Sequence, residues 1–165
     1  MTNEIIFLQP VFKQMIWGGK RLKTDFGYDI PGDDTGECWA ISAHPNGDCT
    51  VREGEYEGWH LSRLWSEHRE LFGDEEGEVF PLLTKIIDAR ADLSIQVHPD
   101  DTYAGEHENG SLGKTEMWYV LDAAKGSEII YGFREDTDRE EVEKALKEKK
   151  IDSLLRHVPI EKNQI

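Results

Sequence analysis

A mainly β fold with two helical excursions is what this sequence predicts, on three observations. Turn signals crowd the first eighty residues: Gly18-Gly19, Pro31-Gly32-Asp33-Asp34, Pro45-Asn46-Gly47-Asp48 and Glu53-Gly54. The runs between them are short and rich in aromatic and β-favouring residues, as in Glu37-Cys38-Trp39-Ala40-Ile41-Ser42. Apolar residues fall at helical spacing in only two stretches, about 61–72 and 138–156.

Taken along the chain, Leu61, Leu64, Trp65, His68, Leu71 and Phe72 line a helix that Gly73 closes, with Leu64, Trp65, Leu71 and Phe72 packing as core. Residues 80–88 read as a strand that sets Leu83, Lys85 and Ile87 on one face. Leu93 to His98 reads as a second strand, with Ser94, Gln96 and His98 on one side. A polar, glycine-rich loop covers Tyr103 to Gly113. Thr115 to Leu121 is then a strand, with Ser127 to Tyr131 as its hairpin partner. Thr137-Asp138-Arg139-Glu140 is a capping box opening a helix with Val142, Ala145 and Leu146 on one face, and Ile151, Leu154 and Leu155 make a further turn. Ile160 to Ile165 reads as the start of another strand.

A chain of 165 residues fits one domain and buries a real core. It is 38% hydrophobic and 32% charged, with a mean hydropathy of -0.63. Its longest apolar runs span a few residues, too short for a bilayer. Met1–Glu4 lacks the basic start of a signal peptide, so a cytoplasmic location is expected. The net charge of -15 repels nucleic acid and anionic membrane and excludes both as partners. Screening over about 8 Å still lets a few placed lysines bind a small phosphate ester. The two cysteines, Cys38 and Cys49, make no disulfide framework and read as free thiols, with Cys38 buried beside Trp39.

The chemistry-bearing cluster is Gln96, His98 and Glu116. Strand alternation points Gln96 and His98 the same way, and Glu116 lies on the strand that returns. An imidazole, a carboxylate and an amide oxygen form an N/O donor set suited to zinc or another divalent ion. By spacing alone, a hydrogen-bonded or salt-bridged His–Glu pair explains the same residues. Lys85 and Lys114 read by themselves as surface lysines. Trp39 and Trp118 read as core, and His44 before its Asn46-Gly47 turn as structural.

Five motifs occur in order: Gln9-Pro10-Val11-Phe12 with Ile16-Trp17-Gly18-Gly19; Thr35-Gly36-Glu37-Cys38-Trp39 with Ser42-Ala43-His44-Pro45; Phe80-Pro81-Leu82-Leu83-Thr84-Lys85; Ser94 to Asp100; and Gly113-Lys114-Thr115-Glu116-Met117-Trp118-Tyr119. Together they resemble the N-terminal half of type I mannose-6-phosphate isomerases, in particular the short form of Gram-positive bacteria. The resemblance implies an incomplete cupin-type jelly roll with helical insertions over residues 1–165. It implies zinc as cofactor, a sugar phosphate as the small-molecule partner, and interconversion of mannose 6-phosphate and fructose 6-phosphate. It makes His98, Glu116 and Gln96 the metal ligands. Lys85, Ser94 and Trp17 become substrate-pocket residues, and Lys114 a catalytic-pocket lysine.

One departure accompanies these matches. The family pattern adds a later Pro-Ser-Gly-x-x-His-Ala segment that supplies a zinc-binding histidine, and an arginine later still; this sequence has neither. The sequence therefore reads as a truncated isomerase, with open strand edges that favour self-association. The alternative reading is a non-catalytic metal- or sugar-binding cupin module.

Overall fold

The computed structural model describes residues 5–165; Met1–Glu4, on which the expected cytoplasmic location rests, lie outside the described residues. The chain divides into two compact units, Met1–Ser94 and Ile95–Ile165. Its sheets are antiparallel throughout, as the mainly β reading expects.

The first unit begins with β1 (Leu8–Gln9), β2 (Val11–Gly19), the single helical turn α1 (Arg21–Thr24), β3 (Thr35–His44), β4 (Gly47–Asp48) and β5 (Thr50–Val51). Helix α2 (Leu61–Glu67), a 3₁₀ turn (Arg69–Phe72) and β6 (Leu83–Ile87) follow. β3 is the central strand, pairing with β2 on one side and β6 on the other, while β4 folds back on its end. The register sets Trp39 opposite both Val11 and Lys85, and Glu37 opposite both Lys13 and Ile87. Side chains alternate across a strand. Val11, Lys13, Glu37, Trp39, Lys85 and Ile87 therefore share one face, and Phe12, Cys38 and Ile86 the other.

Cys38, Cys49, Leu22 and Leu64 are fully buried in this unit. The Phe12 ring meets Tyr28 edge-on at 5.6 Å. Asp88 accepts from the Arg21 amide at 2.6 Å, satisfying an orphan donor at the start of α1. The expected helix over 61–72 is present as α2 with its 3₁₀ continuation, broken at His68, and Gly73 closes it at φ 73°. Leu64 and Trp65 are buried as expected. Leu71 is 38% exposed, because the tighter 3₁₀ turn rotates it off the buried stripe. Phe72 and Phe80 clasp Trp65 edge-on at 5.3 and 5.4 Å.

The second unit contains α3 (Asp101–His107), β7 (Glu128–Phe133), α4 (Arg139–Lys147), a 3₁₀ turn (Ile151–Leu154) and β8 (Leu155–Pro159). Several expectations change here. Residues 93–98 and 115–121 belong to no strand ladder. Propensity supplies suitable side chains, but a strand also needs a hydrogen-bonded neighbour along its length. The proposed hairpin partner, β7, pairs with β8 instead. That strand begins at Leu155, so Ile160–Ile165 follows a strand rather than opening one.

The polar loop at 103–113 is partly helix, because Asp100 caps α3 by accepting from the Tyr103 amide at 2.8 Å. At α4 the cap is Asp138, one residue later than the expected box, accepting from Glu141 N at 2.9 Å. Thr137 donates instead to the Glu141 carboxylate at 2.8 Å. Among the described residues, no helix is long and apolar enough to cross a membrane.

Candidate functional site

In the second unit, the His-Pro-Asp-Asp segment (98–101) and the Gly-Lys-Thr-Glu segment (113–116) are pinned side by side by two backbone amides, one bonded to a carbonyl and one to a carboxylate. The Gly113 amide donates to Asp101 Oδ1 at 2.8 Å, and the Lys114 amide to the Pro99 carbonyl at 3.1 Å. This crossing requires glycine. A Cβ on residue 113 would lie 2.5 Å from the Asp100 carbonyl carbon and 2.6 Å from the Asp101 nitrogen, both backbone atoms with little freedom to move.

The close crossing brings three predicted site residues together. His98 Nε2 lies 3.1 Å from Glu116 Oε1. The Lys114 ammonium lies 2.8 Å from Glu116 Oε2 and 3.2 Å from His98 Nε2. The Trp118 indole donates to Glu116 Oε1 at 3.2 Å. Partial burial pushes the Glu116 carboxyl up, but hydrogen bonds from Lys114, Trp118 and His98 outweigh it and hold the group at about 2. Trp118, read as core, is 43% exposed; its polar edge serves the carboxylate two residues earlier.

Two donors of a tetrahedral zinc site lie about 3.4 Å apart when each bond is about 2.1 Å. The observed 3.1 Å between His98 Nε2 and Glu116 Oε1 is compatible with that spacing. Gln96, the third predicted donor, is exposed. Among the described residues, no group of three or more His, Cys, Asp or Glu side chains is arranged to hold a metal ion, and the donors brought together here are one imidazole and one carboxylate. Concavities lined by residues 133–137, and by 123–127 with 159–162, include none of these side chains.

In the first unit, the Lys85 ammonium sits 3.2 Å from Glu37 Oε2 and 4.9 Å from the centre of the Trp39 ring. Trp39, buried as expected, donates its indole N–H to the same oxygen at 2.6 Å. Lys13 approaches that ring at 4.8 Å. Trp17 is 6% exposed. A Cβ on Gly36 would come within 2.6 Å of the Trp17 ring, so the glycine makes room for it. Ser94 is exposed. His44 is structural, accepting from the Asn46 amide at 3.0 Å and meeting Trp39 edge-on at 5.7 Å.

Sequence reasoning missed Glu37, Trp118 and the Asp101–Gly113 clasp. The period-2 spacing of Glu37 with Trp39 was the available signal for the first. Asp100 three residues before Tyr103 was a capping signal for the helix that follows.

Residues 5–130 match the family model for phosphomannose isomerase type I, catalytic domain. The chain is 56% identical over 160 residues to mannose-6-phosphate isomerase ManA of Bacillus subtilis, covering 97% of this chain and 50% of that protein. It is 55% identical over 157 residues to the mannose-6-phosphate isomerase of Streptococcus mutans, covering 95% of this chain and 49% of that one. The crystal structure of the Bacillus subtilis mannose 6-phosphate isomerase superposes with a TM-score of 0.91 at 53% identity, over 96% of this chain and 50% of that one. The chain thus spans about half the length of the curated relatives it matches.

Proposed function

The chain belongs to the type I phosphomannose isomerase family, and from that premise we propose that its protein is an aldose–ketose isomerase interconverting mannose 6-phosphate and fructose 6-phosphate, with zinc as cofactor. The observation that carries the reading is the meeting of His98 Nε2 and Glu116 Oε1 at 3.1 Å beside the Lys114 ammonium. It sets two good zinc donors and one fixed positive charge in a single cluster.

In this reading His98 and Glu116 hold the metal, with Gln96 as a neutral third donor. Bound zinc supplies Lewis-acid polarisation of the sugar's carbonyl and hydroxyl oxygens. The reaction moves a proton between C2 of the aldose and C1 of the ketose through an enediolate, with the oxygen-bound proton moving from O2 to O1. Lys114 places positive charge where the enediolate oxygen becomes negative. The Trp118 indole keeps the Glu116 carboxylate turned toward His98. In the first unit, Lys85 is held by Glu37 and the Trp39 face, and it is one of three residues there, with Ser94 and Trp17, to which the family pattern gives a substrate-binding role. Local placement of lysines is what allows a chain of net charge -15 to accept a phosphate ester.

Equilibrium dialysis of the chain against zinc tests this reading, with His98→Ala and Glu116→Gln as controls. The expected result is stoichiometric zinc on the parent chain and its loss from both variants. Zinc retained equally by all three would remove the metal site. An assay of the zinc-loaded chain with mannose 6-phosphate then separates two readings. Formation of fructose 6-phosphate supports the isomerase. Sugar-phosphate binding without turnover supports a non-catalytic binding module.

A further inference from the structure

We propose that Asn109 is a modification site, where the side-chain amide is lost to water through ring closure onto the Gly110 nitrogen while the chain stays folded.

The sequence contains two Asn-Gly pairs, Asn46-Gly47 and Asn109-Gly110. A glycine after an asparagine leaves its own nitrogen unshielded by a side chain and its backbone free to turn. That nitrogen can then reach the asparagine carboxamide carbon and close a five-membered ring. Both pairs have the residues for this chemistry, so the fold decides which one reacts.

Asn46-Gly47 is held in place. Gly47 lies in β4 opposite His44 of β3. The Asn46 backbone amide donates to His44 Nδ1 at 3.0 Å, and the Lys13 ammonium donates to the Asn46 carbonyl at 2.5 Å. Gly47 backs onto the Trp39 ring, whose nearest atom would lie 2.8 Å from a Cβ there.

Asn109-Gly110 has no such restraint. Both residues are exposed, and nothing lies within 4 Å of a Cβ position on Gly110. Their φ angles of 56° and 80° follow the pattern of a type I′ turn. The Ser111 amide and hydroxyl close it on the Glu108 carbonyl at 3.1 and 2.7 Å. Among the described residues, no hydrogen bond holds the Gly110 N–H or the Asn109 carboxamide. Opening this turn uncovers no core, so its backbone reaches the attacking geometry at little cost.

No oxidation or reduction is involved. The Gly110 nitrogen gives its proton to solvent and bonds to Asn109 Cγ, the bond from Cγ to the amide nitrogen breaks, and ammonia leaves. Water then cleaves one of the two ring bonds to the Gly110 nitrogen, leaving aspartate or isoaspartate. The product adds a carboxylate to the loop between Asp101 and Gly113, and in its iso form an additional main-chain atom.

Tryptic peptide mapping of the full chain, after incubation in mildly alkaline buffer with and without urea, tests the proposal. In the folded chain the Asn109 peptide is expected to gain mass and split into aspartate and isoaspartate forms at least about tenfold faster than the Asn46 peptide. In urea, where no fold protects either pair, the two rates should come within about threefold of each other. Asn109→Gln would need a six-membered ring, and its peptide is expected to hold its mass. Equal rates in the folded chain, or no mass gain at the Asn109 peptide, overturn the proposal. A rate ratio that persists in urea overturns the part played by the fold, and a mass gain that survives Asn109→Gln places the reaction at another residue.

Discussion

The Trp39 indole donates to Glu37 Oε2 at 2.6 Å, and the Lys85 ammonium reaches that same oxygen at 3.2 Å. Glu37 and Lys85 retain only 13% and 22% of their side-chain exposure, so the ion pair is largely shielded from solvent. Trp39→Phe keeps an aromatic ring but removes the hydrogen bond to a charged acceptor and part of a buried side chain, at an expected cost of at least about 1.5–3 kcal/mol in urea unfolding. A loss below about 0.5 kcal/mol, the range of ordinary surface changes, would show that Lys85 alone satisfies Glu37.

Two glycines in the second unit, Gly105 and Gly113, should respond in opposite ways to the same substitution. Gly105 lies inside α3 with nothing within 4 Å of the place an alanine Cβ would take, so Gly105→Ala should raise stability by about 0.5–1 kcal/mol. At Gly113 a methyl meets the backbone of residues 99–101, and Gly113→Ala should destabilise by about 1–3 kcal/mol and separate His98 from Glu116. Denaturation curves of the two variants, with zinc dialysis on each, would reveal the contrast. Equal effects would mean that the crossing is not tight.

The Glu116 carboxyl sits at about 2 against an ordinary 4.5, so its pairing stabilises the second unit above pH 4.5 and is lost as pH falls toward 2. The side chain is 36% exposed, and solvent screening keeps the effect small. The stability difference between the parent chain and Glu116→Gln, followed by denaturant titration, should shrink across that window. A difference that stays constant from about pH 5 to about pH 2 would exclude the ion pair as its source.

Asp138 caps α4 through the Glu141 amide, so Asp138→Ala should cost about 1 kcal/mol. Thr137→Ala removes only a hydroxyl contact with the Glu141 side chain and should cost less. Helix content by circular dichroism, measured alongside unfolding, would rank the two. The reverse order would restore the capping box to Thr137.

Where backbone partners are local or the pattern is strong, the sequence was readable. The helix at 61–72 announced itself by spacing and by Gly73, and the Lys85–Ile87 alternation placed both residues on the observed face of β6. Reading failed where a distant partner decides the outcome. Residues 115–121 have every side chain that a strand favours, yet no ladder forms along them. Their backbone ties are to residues 163 and 164, with Val120 N donating to the Gln164 carbonyl at 2.9 Å and Asn163 N to the Val120 carbonyl at 2.8 Å. Single-sequence patterning carries no signal for a pairing between segments so far apart in the chain. At the candidate site, His98 and Glu116 could be nominated from residue type and family pattern. Their meeting depends on a glycine whose missing Cβ is informative only once its neighbours are placed.

Cys38 and Cys49 are wholly enclosed in the first unit, and burial lifts the Cys38 thiol to about 11, so neither forms a reactive thiolate in the closed state. The second unit contains no cysteine. Alkylation can therefore proceed only through opening of the sheet built on β3, and its rate becomes a stopwatch for that event alone. A single thiol reagent would time the loosening of one half of the molecule while remaining blind to the other, making the kinetics of the two halves separable without cutting the chain.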